Sequence, residues 1–138
     1  MLNQDDRMTL TLLNLEIIGS LTAIIGLILF IVASTTAKDI LLSSYFRRNP
    51  GNSNLNPDVT AFLGRLFFVA AGFIAASTTT LRLIQRAQKV LRHEPMQGTL
   101  VPITYIVIGS WTSLFGGIIA LIGDYRRVQE SPSSIPVY

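Results

Sequence analysis

Three long intervals of this chain carry no charged residue, and they limit what the chain can fold into more than any other feature. Residues 17–37, 66–81 and 95–123 are 21, 16 and 29 residues without Asp, Glu, Lys or Arg. A helix needs about 20 mostly apolar residues to cross the hydrocarbon of a bilayer. The second interval reaches that length if it extends upstream past Arg65 through residues 59–64. We therefore expect an all-α membrane protein with three membrane-spanning helices.

The composition agrees with this expectation. Charged residues make up 14% of the chain, against roughly 25% in soluble domains, and the mean hydropathy is +0.48. The segment before the first interval carries Asp5, Asp6 and Glu16 against Arg7. A secretory signal instead begins with a positive segment and has a shorter apolar stretch, so we expect the first helix to be retained. The net charge of +3 lies in short clusters, which argues against a nucleic-acid partner.

Turn-forming residues determine where the predicted helices begin and end. The prediction is one integral membrane domain, residues 1–138, with helices at about residues 12–37, 58–92 and 101–123 in an antiparallel three-helix bundle. Asp58 is expected to cap the second helix, and Pro102 suits the first turn of the third. Residues 38–48 could form a short amphipathic turn at the interface, and residues 49–57 are turn-forming. The tail, residues 128–138, is expected to be flexible.

The second predicted helix continues beyond its apolar interval as a basic juxtamembrane extension. Arg82, Arg86, Lys89 and His93 follow one another at spacings of 4, 3 and 4, which places them on one helical face. Together with Arg92 they form a basic stripe. This stripe suits anionic lipid headgroups at the membrane surface. The alternative is that it only sets the topology of the chain.

The distribution of Lys and Arg leaves the orientation open. Each side of the membrane would hold 5 of these residues, so their number does not decide which side is cytoplasmic. Four of those on the N-terminal side lie in one short loop, which favours a cytoplasmic N-terminus. The expected location is a bacterial inner membrane or an organelle equivalent.

Small residues recur on one face of each predicted helix. In lipid, helices associate through close backbone packing, which small residues permit. The predicted helix-packing residues are Gly19, Ala23 and Gly26 in the first helix, Ala71 and Ala75 (or Gly72 and Ala76) in the second, and Gly109, Ser113, Gly116, Ala120 and Gly123 in the third. These faces either close the chain's own bundle or leave a face for self-association or for a larger complex.

Two charged residues lie where a bilayer makes them costly. If successive helices cross the membrane in opposite directions, Arg65 lies at the same depth as Asp124, and Glu16 lies at the same depth as Arg82. We therefore expect these two ion pairs inside or near the membrane. Arg65 could instead extend to the headgroups.

Polar residues inside the apolar intervals also need partners. Trp111 lies near the middle of its span and is expected to pack between helices, with a stacking site for a quinone or pigment as the alternative. The serine and three threonines of residues 77–80 are expected to bond to their own helix carbonyls or to another helix.

The chain offers few groups for catalysis. It has no cysteine and a single histidine, His93, so we expect no zinc or haem site. It carries no phosphate-binding loop or dinucleotide fingerprint. We expect no catalytic residue, no metal and no cofactor. The expected function is an accessory or structural subunit of a membrane complex, with a self-assembling, holin-like pore as the alternative.

Residues 6–12, DRMTLTL, lead into the first apolar interval. With three spans and a basic second loop, this layout resembles the YidH-like membrane proteins and the membrane domain of the vacuolar polyphosphate transporter chaperones. That family's motif reads roughly E-R-T-F-L-[AS]-W. Here the acidic–Arg pair and a leucine match, the phenylalanine and tryptophan are missing, and the loop after the first helix is longer. The resemblance implies a conduit or accessory role for anions, and Arg7 is the one residue that it carries over.

Overall fold

The computed structural model describes residues 4–46, 55–94 and 98–131. These residues form three α-helices and no strand: α1 (Gln4–Phe46), α2 (Pro57–Leu91) and α3 (Val101–Glu130). At 1.5 Å per residue, their 43, 35 and 30 residues make helices about 65, 52 and 45 Å long. All three are long and apolar enough to cross a membrane. The predicted all-helical class is confirmed for the described residues.

α1 is longer than the sequence predicts. It continues past Lys38 to Phe46, where we expected a separate interfacial turn. No Gly or Pro interrupts residues 38–46, so nothing in this stretch ends the helix. Residues 47–54, which hold most of the predicted turn segment, lie outside the described residues.

α3 is also longer than predicted. It has Pro102 in its first turn, as expected, and continues to Glu130. The predicted flexible tail of residues 128–138 therefore begins as helix, and residues 132–138 lie outside the described residues.

Asn56 caps α2, and the prediction that Asp58 does so was wrong. The Asn56 side chain accepts a hydrogen bond of 2.9 Å from the backbone N–H of Asp58, and Pro57 occupies the first turn. The Asp58 carboxylate faces α3 instead, where it accepts hydrogen bonds from Arg127 and Ser131.

α2 ends in a Schellman motif. The N–H of Glu94 donates to the Lys89 carbonyl and the N–H of His93 donates to the Val90 carbonyl, both at 3.1 Å. His93 has a φ of 53°, in the left-handed conformation usually taken by Gly at this position. His93 therefore lies beyond the helix, and the predicted basic stripe ends at Lys89.

α2 is the central helix. α1 and α3 each pack against α2, and within the described ranges they do not contact one another. Along α1 and α2 the contacts run from Glu16–Arg82 through Gly19–Ile74 to Gly26–Gly64. Residue numbers thus rise along one helix as they fall along the other. A gap therefore separates α1 from α3 on the surface of α2.

Candidate functional site

α1 and α2 approach closely where Gly26 faces Gly64. A methyl group on Gly26 would lie 2.9 Å from the Gly64 carbonyl oxygen and 2.9 Å from Cδ2 of Phe68. On Gly64 it would lie 3.0 Å from the Gly26 carbonyl oxygen. A larger residue at either position would therefore push the two backbones apart. The sequence analysis singled out Gly26 but not Gly64, which lies seven residues before Ala71 on the same face of α2.

The three glycines of the small-residue stripe predicted for α3 have no close neighbour in the described part of the chain. A methyl group on Gly109, Gly116 or Gly123 would lie more than 4 Å from any neighbouring group. Ser113 is exposed, and Ala120 is half-buried. These three glycines therefore make no close contact with α1 or α2 within the described chain. Use of the stripe by a second protein remains a prediction.

α3 contacts α2 through a different face. Leu114 is buried there, and a methyl group on Gly72 would lie 3.6 Å from its Cδ1. A methyl group on Gly117 would lie 3.5 Å from Cγ2 of Val69. Both are ordinary van der Waals distances, so side chains rather than backbones separate these two helices.

A groove of about 450 Å³ lies between α1 and α3, with α2 as its floor. Its small lining residues are Gly19, Ala23, Ala71, Gly72, Ala75 and Ser113. A second depression, of about 200 Å³, shares Phe68, Gly72 and Ser113 with it and extends the surface to Gly116 and Arg65. We call the two together the small-residue groove. Predicted packing residues from all three helices thus converge on one open surface.

Trp111 packs between α2 and α3, where it donates an indole hydrogen bond of 3.0 Å to the Thr80 hydroxyl. That hydroxyl donates in turn to the Ala76 carbonyl at 2.7 Å. Thr78 and Thr79 also bond to carbonyls of the preceding turn. The predicted bonding of these threonines within their own helix is confirmed, and Thr80 additionally joins two helices.

Two ion pairs join the helices, with the partners that the sequence predicts. Arg65 Nε donates to Asp124 Oδ2 at 3.1 Å, and Arg82 Nη2 donates to Glu16 Oε2 at 2.8 Å. The Arg65 guanidinium also lies 4.9 Å from the centre of the Phe30 ring of α1. Arg65 thus contacts both flanking helices and does not extend away from them.

A concave pocket of about 320 Å³, the basic pocket, lies between the start of α1 and the end of α2. Its lining residues are Arg82, Gln85, Arg86 and Lys89 of α2 and Thr9, Leu12 and Leu13 of α1. Arg92 and His93 are exposed and do not line it. The predicted basic stripe is thus divided into three residues that share a pocket and two that do not. Sequence reasoning missed Gln85 and Thr9 because their proximity depends on how the two helices pack.

Among the described residues, the charges that line the groove at the opposite end of the molecule are paired. A groove of about 560 Å³ there is lined by both members of the Asp58–Arg127 and Arg65–Asp124 pairs. Across the described ranges, no group of three or more His, Asp or Glu residues could hold a metal ion.

No family model matches this chain, and neither a curated protein nor a solved structure matches it. The resemblance to the YidH-like proteins therefore depends on residues 6–12 and the three-span layout alone. Arg7, the residue that it carries over, is exposed near the start of α1.

Proposed function

We propose that this chain is a multi-pass membrane protein with three antiparallel spans and no catalytic activity of its own. It serves as a structural subunit that docks an apolar helix of another membrane protein in the small-residue groove. The observation that carries this proposal is the groove itself, which is open and lined by small residues of all three helices. Such residues let helix backbones approach closely in lipid, where apolar burial gives little driving force.

Membrane placement accounts for the large apolar surface. Ile31 is 63% exposed and Ile119 is 71% exposed, and only 6% of the most apolar stretch of α3 is buried within the chain. In water such a surface would promote aggregation. In a bilayer it faces hydrocarbon, and the ion pairs at Arg65 and Arg82 lower the cost of placing charges near the apolar layer.

We place the N-terminus in the cytoplasm, in a bacterial inner membrane or an organelle equivalent. The support is the clustering of Arg82, Arg86, Lys89 and Arg92 at the end of α2, because short cytoplasmic loops are rich in Lys and Arg. The α1 N-terminus lies at this same end of the molecule, as the Glu16–Arg82 pair indicates.

The α3 stripe favours a partner helix as the occupant of the groove. Ser113 and Gly116 lie on the stripe and also line the groove, so a helix docked there would contact the stripe. The partner is either an unlike subunit, which we propose, or a second copy of this chain, which the holin-like alternative requires.

Native mass spectrometry after gentle extraction from the source membrane into nanodiscs tests the proposal. Wild type would be compared with Gly116→Leu, which adds bulk to the groove at a position where a Cβ would meet no neighbouring group within 4 Å. The matched control is Ile108→Phe, which adds bulk at an exposed position about 80° around α3 from Gly116. We expect wild type and Ile108→Phe to carry an unlike subunit and Gly116→Leu to be extracted without it.

Three results would overturn the proposal. A homo-oligomer in all samples would replace it with the self-assembling pore. A chain that is extracted alone would leave the groove without a protein partner. Equal loss of the partner from both variants would move the docking site away from the groove. Circular dichroism and thermal unfolding of each variant verify that the fold is intact.

A further inference from the structure

The basic pocket shares no lining residue with the small-residue groove, and the docking proposal makes no use of it. Arg82, Arg86 and Lys89 occupy positions i, i+4 and i+7 of α2, so they project from one face of the helix. The facing wall, from α1, supplies the Thr9 hydroxyl and apolar side chains. Cations are thus gathered on a concave surface that also has an apolar side.

The pocket lies at the depth of the lipid headgroups in the proposed membrane placement. Glu16 directly precedes one uncharged interval and Arg82 directly follows another, so their ion pair marks the edge of the apolar layer. Arg86 and Lys89 lie about 6 and 10 Å further along α2 at 1.5 Å per residue. The headgroup region extends roughly 5–8 Å beyond the hydrocarbon on each side.

Arg86 differs from the other cations of this pocket in its surroundings. Glu16 offsets the charge of Arg82, and the acidic residue Asp6 lies one helical turn before Thr9 on α1. Arg86 is exposed and has no hydrogen-bond or ion-pair partner among the described residues. None of the five N–H donors of its guanidinium is therefore used by another described residue.

We propose that the basic pocket binds a phosphate group, with Arg86 as its main contact and Arg82 and Lys89 beside it. Guanidinium groups bind phosphate oxygens through paired, charge-assisted hydrogen bonds. Phosphate of this kind is available from a phospholipid headgroup or from solution. Leu13 in the lining favours the phospholipid, because it is 42% exposed and offers an apolar surface next to the cations.

Native mass spectrometry of the purified protein in neutral detergent, titrated with phosphatidylglycerol or phosphatidylcholine, tests the pocket. Arg86→Gln removes the proposed contact. Arg92→Gln is the matched control, because it removes the same charge from the end of α2 outside the pocket. We expect Arg86→Gln to weaken phosphatidylglycerol binding about fivefold and Arg92→Gln to leave it unchanged.

A second arm adds inorganic phosphate at millimolar concentration and measures thermal unfolding and lipid displacement. Stabilisation of wild type but not of Arg86→Gln would keep the phosphate site and assign it a soluble ligand. Unchanged phosphatidylglycerol affinity in Arg86→Gln would overturn the site. Equal weakening in Arg92→Gln would replace it with diffuse attraction of lipid to a basic surface. An unaltered melting temperature of Arg86→Gln verifies that the variant folds.

Discussion

α2 contacts its two neighbours in different ways. Against α1 it places glycine on glycine, so that the Gly26 and Gly64 backbones leave no room for a methyl group. Against α3 the glycines Gly72 and Gly117 have ordinary contact distances of 3.6 and 3.5 Å to side chains. Polar bonds hold this second contact, chiefly those of Arg65 to Asp124 and of Trp111 to Thr80.

These two contacts show that a pattern of small residues does not by itself identify which helices pack against each other. α3 has the longest stripe of small residues in the sequence, yet the three glycines of that stripe meet no neighbouring group within 4 Å in the described chain. Directional bonds and a few side chains are enough to hold α3 on α2. Gly109, Gly116 and Gly123 are not needed for this contact.

The largest expected effect comes from closing the space between α1 and α2. Gly26→Ala places a methyl group 2.9 Å from the Gly64 carbonyl oxygen, and we expect it to lower the free energy of unfolding by about 2–3 kcal/mol. Denaturation by sodium dodecyl sulfate, titrated into mixed micelles, measures this change. A variant as stable as wild type would mean that the two backbones are not in close contact.

Removing the principal ion pair of the second contact should have a somewhat smaller effect. Arg65→Ala leaves Asp124, whose side chain is 18% exposed, without its partner. Exposed ion pairs contribute about 0–1 kcal/mol, whereas breaking a buried pair costs about 3–5 kcal/mol. Because this pair is partly buried, we expect Arg65→Ala to lower the free energy of unfolding by about 2 kcal/mol. The same titration should give a smaller loss, about 1 kcal/mol, for Arg82→Ala, whose pair is about one-third exposed on both sides. The reverse order would contradict the view that polar bonds hold α3.

The Trp111–Thr80 hydrogen bond should contribute less again. We expect Trp111→Phe to lower the free energy of unfolding by about 0.6 kcal/mol, the average for hydrogen bonds between membrane helices. Thr80→Val and the double variant complete a mutant cycle. Strictly additive effects of the two substitutions would show that the bond does not couple α2 to α3.

The smallest expected effect, with the opposite sign, is that of Gly117→Ala. The added methyl group would lie 3.5 Å from Val69, where it fits without a clash. Alanine also stabilises a helix interior relative to glycine by roughly 0.5–1 kcal/mol. We expect unchanged or slightly raised stability in the same titration. A loss comparable to that of Gly26→Ala would remove the distinction between the two contacts of α2.

The sequence was informative where a single helix or a simple threading rule decides the outcome. Uncharged intervals predict three helices, and α2 (Pro57–Leu91) agrees closely with its predicted range of 58–92. The partners of Arg65 and Glu16 follow from the expectation that successive helices run in opposite directions, because residues at equal depth on adjacent helices are then neighbours. The Asn56 cap could also have been predicted, since Asn before Pro is a known helix start.

The sequence was less informative where the result depends on which faces meet. Gly64 lies on the same face of α2 as Ala71 and Ala75, but only the packing of the helices shows that it lies opposite Gly26. The α3 stripe shows a small face but not its neighbour. The basic pocket needs α1 beside α2 to place Thr9 near Gln85, at 3.4 Å. Helical periodicity assigns a residue to a face, whereas the neighbour of that face is set by the packing of the whole chain.

Photo-crosslinking in the native membrane tests the docking groove most directly. The chain has no cysteine, so Ser113→Cys in the groove and Thr112→Cys just outside its lining can each carry a maleimide–benzophenone label. These neighbouring residues point about 100° apart on α3. If a partner helix docks in the groove, irradiation should join residue 113, but not residue 112, to one discrete unlike protein. The same products from both positions, or none from residue 113, would contradict the proposed docking.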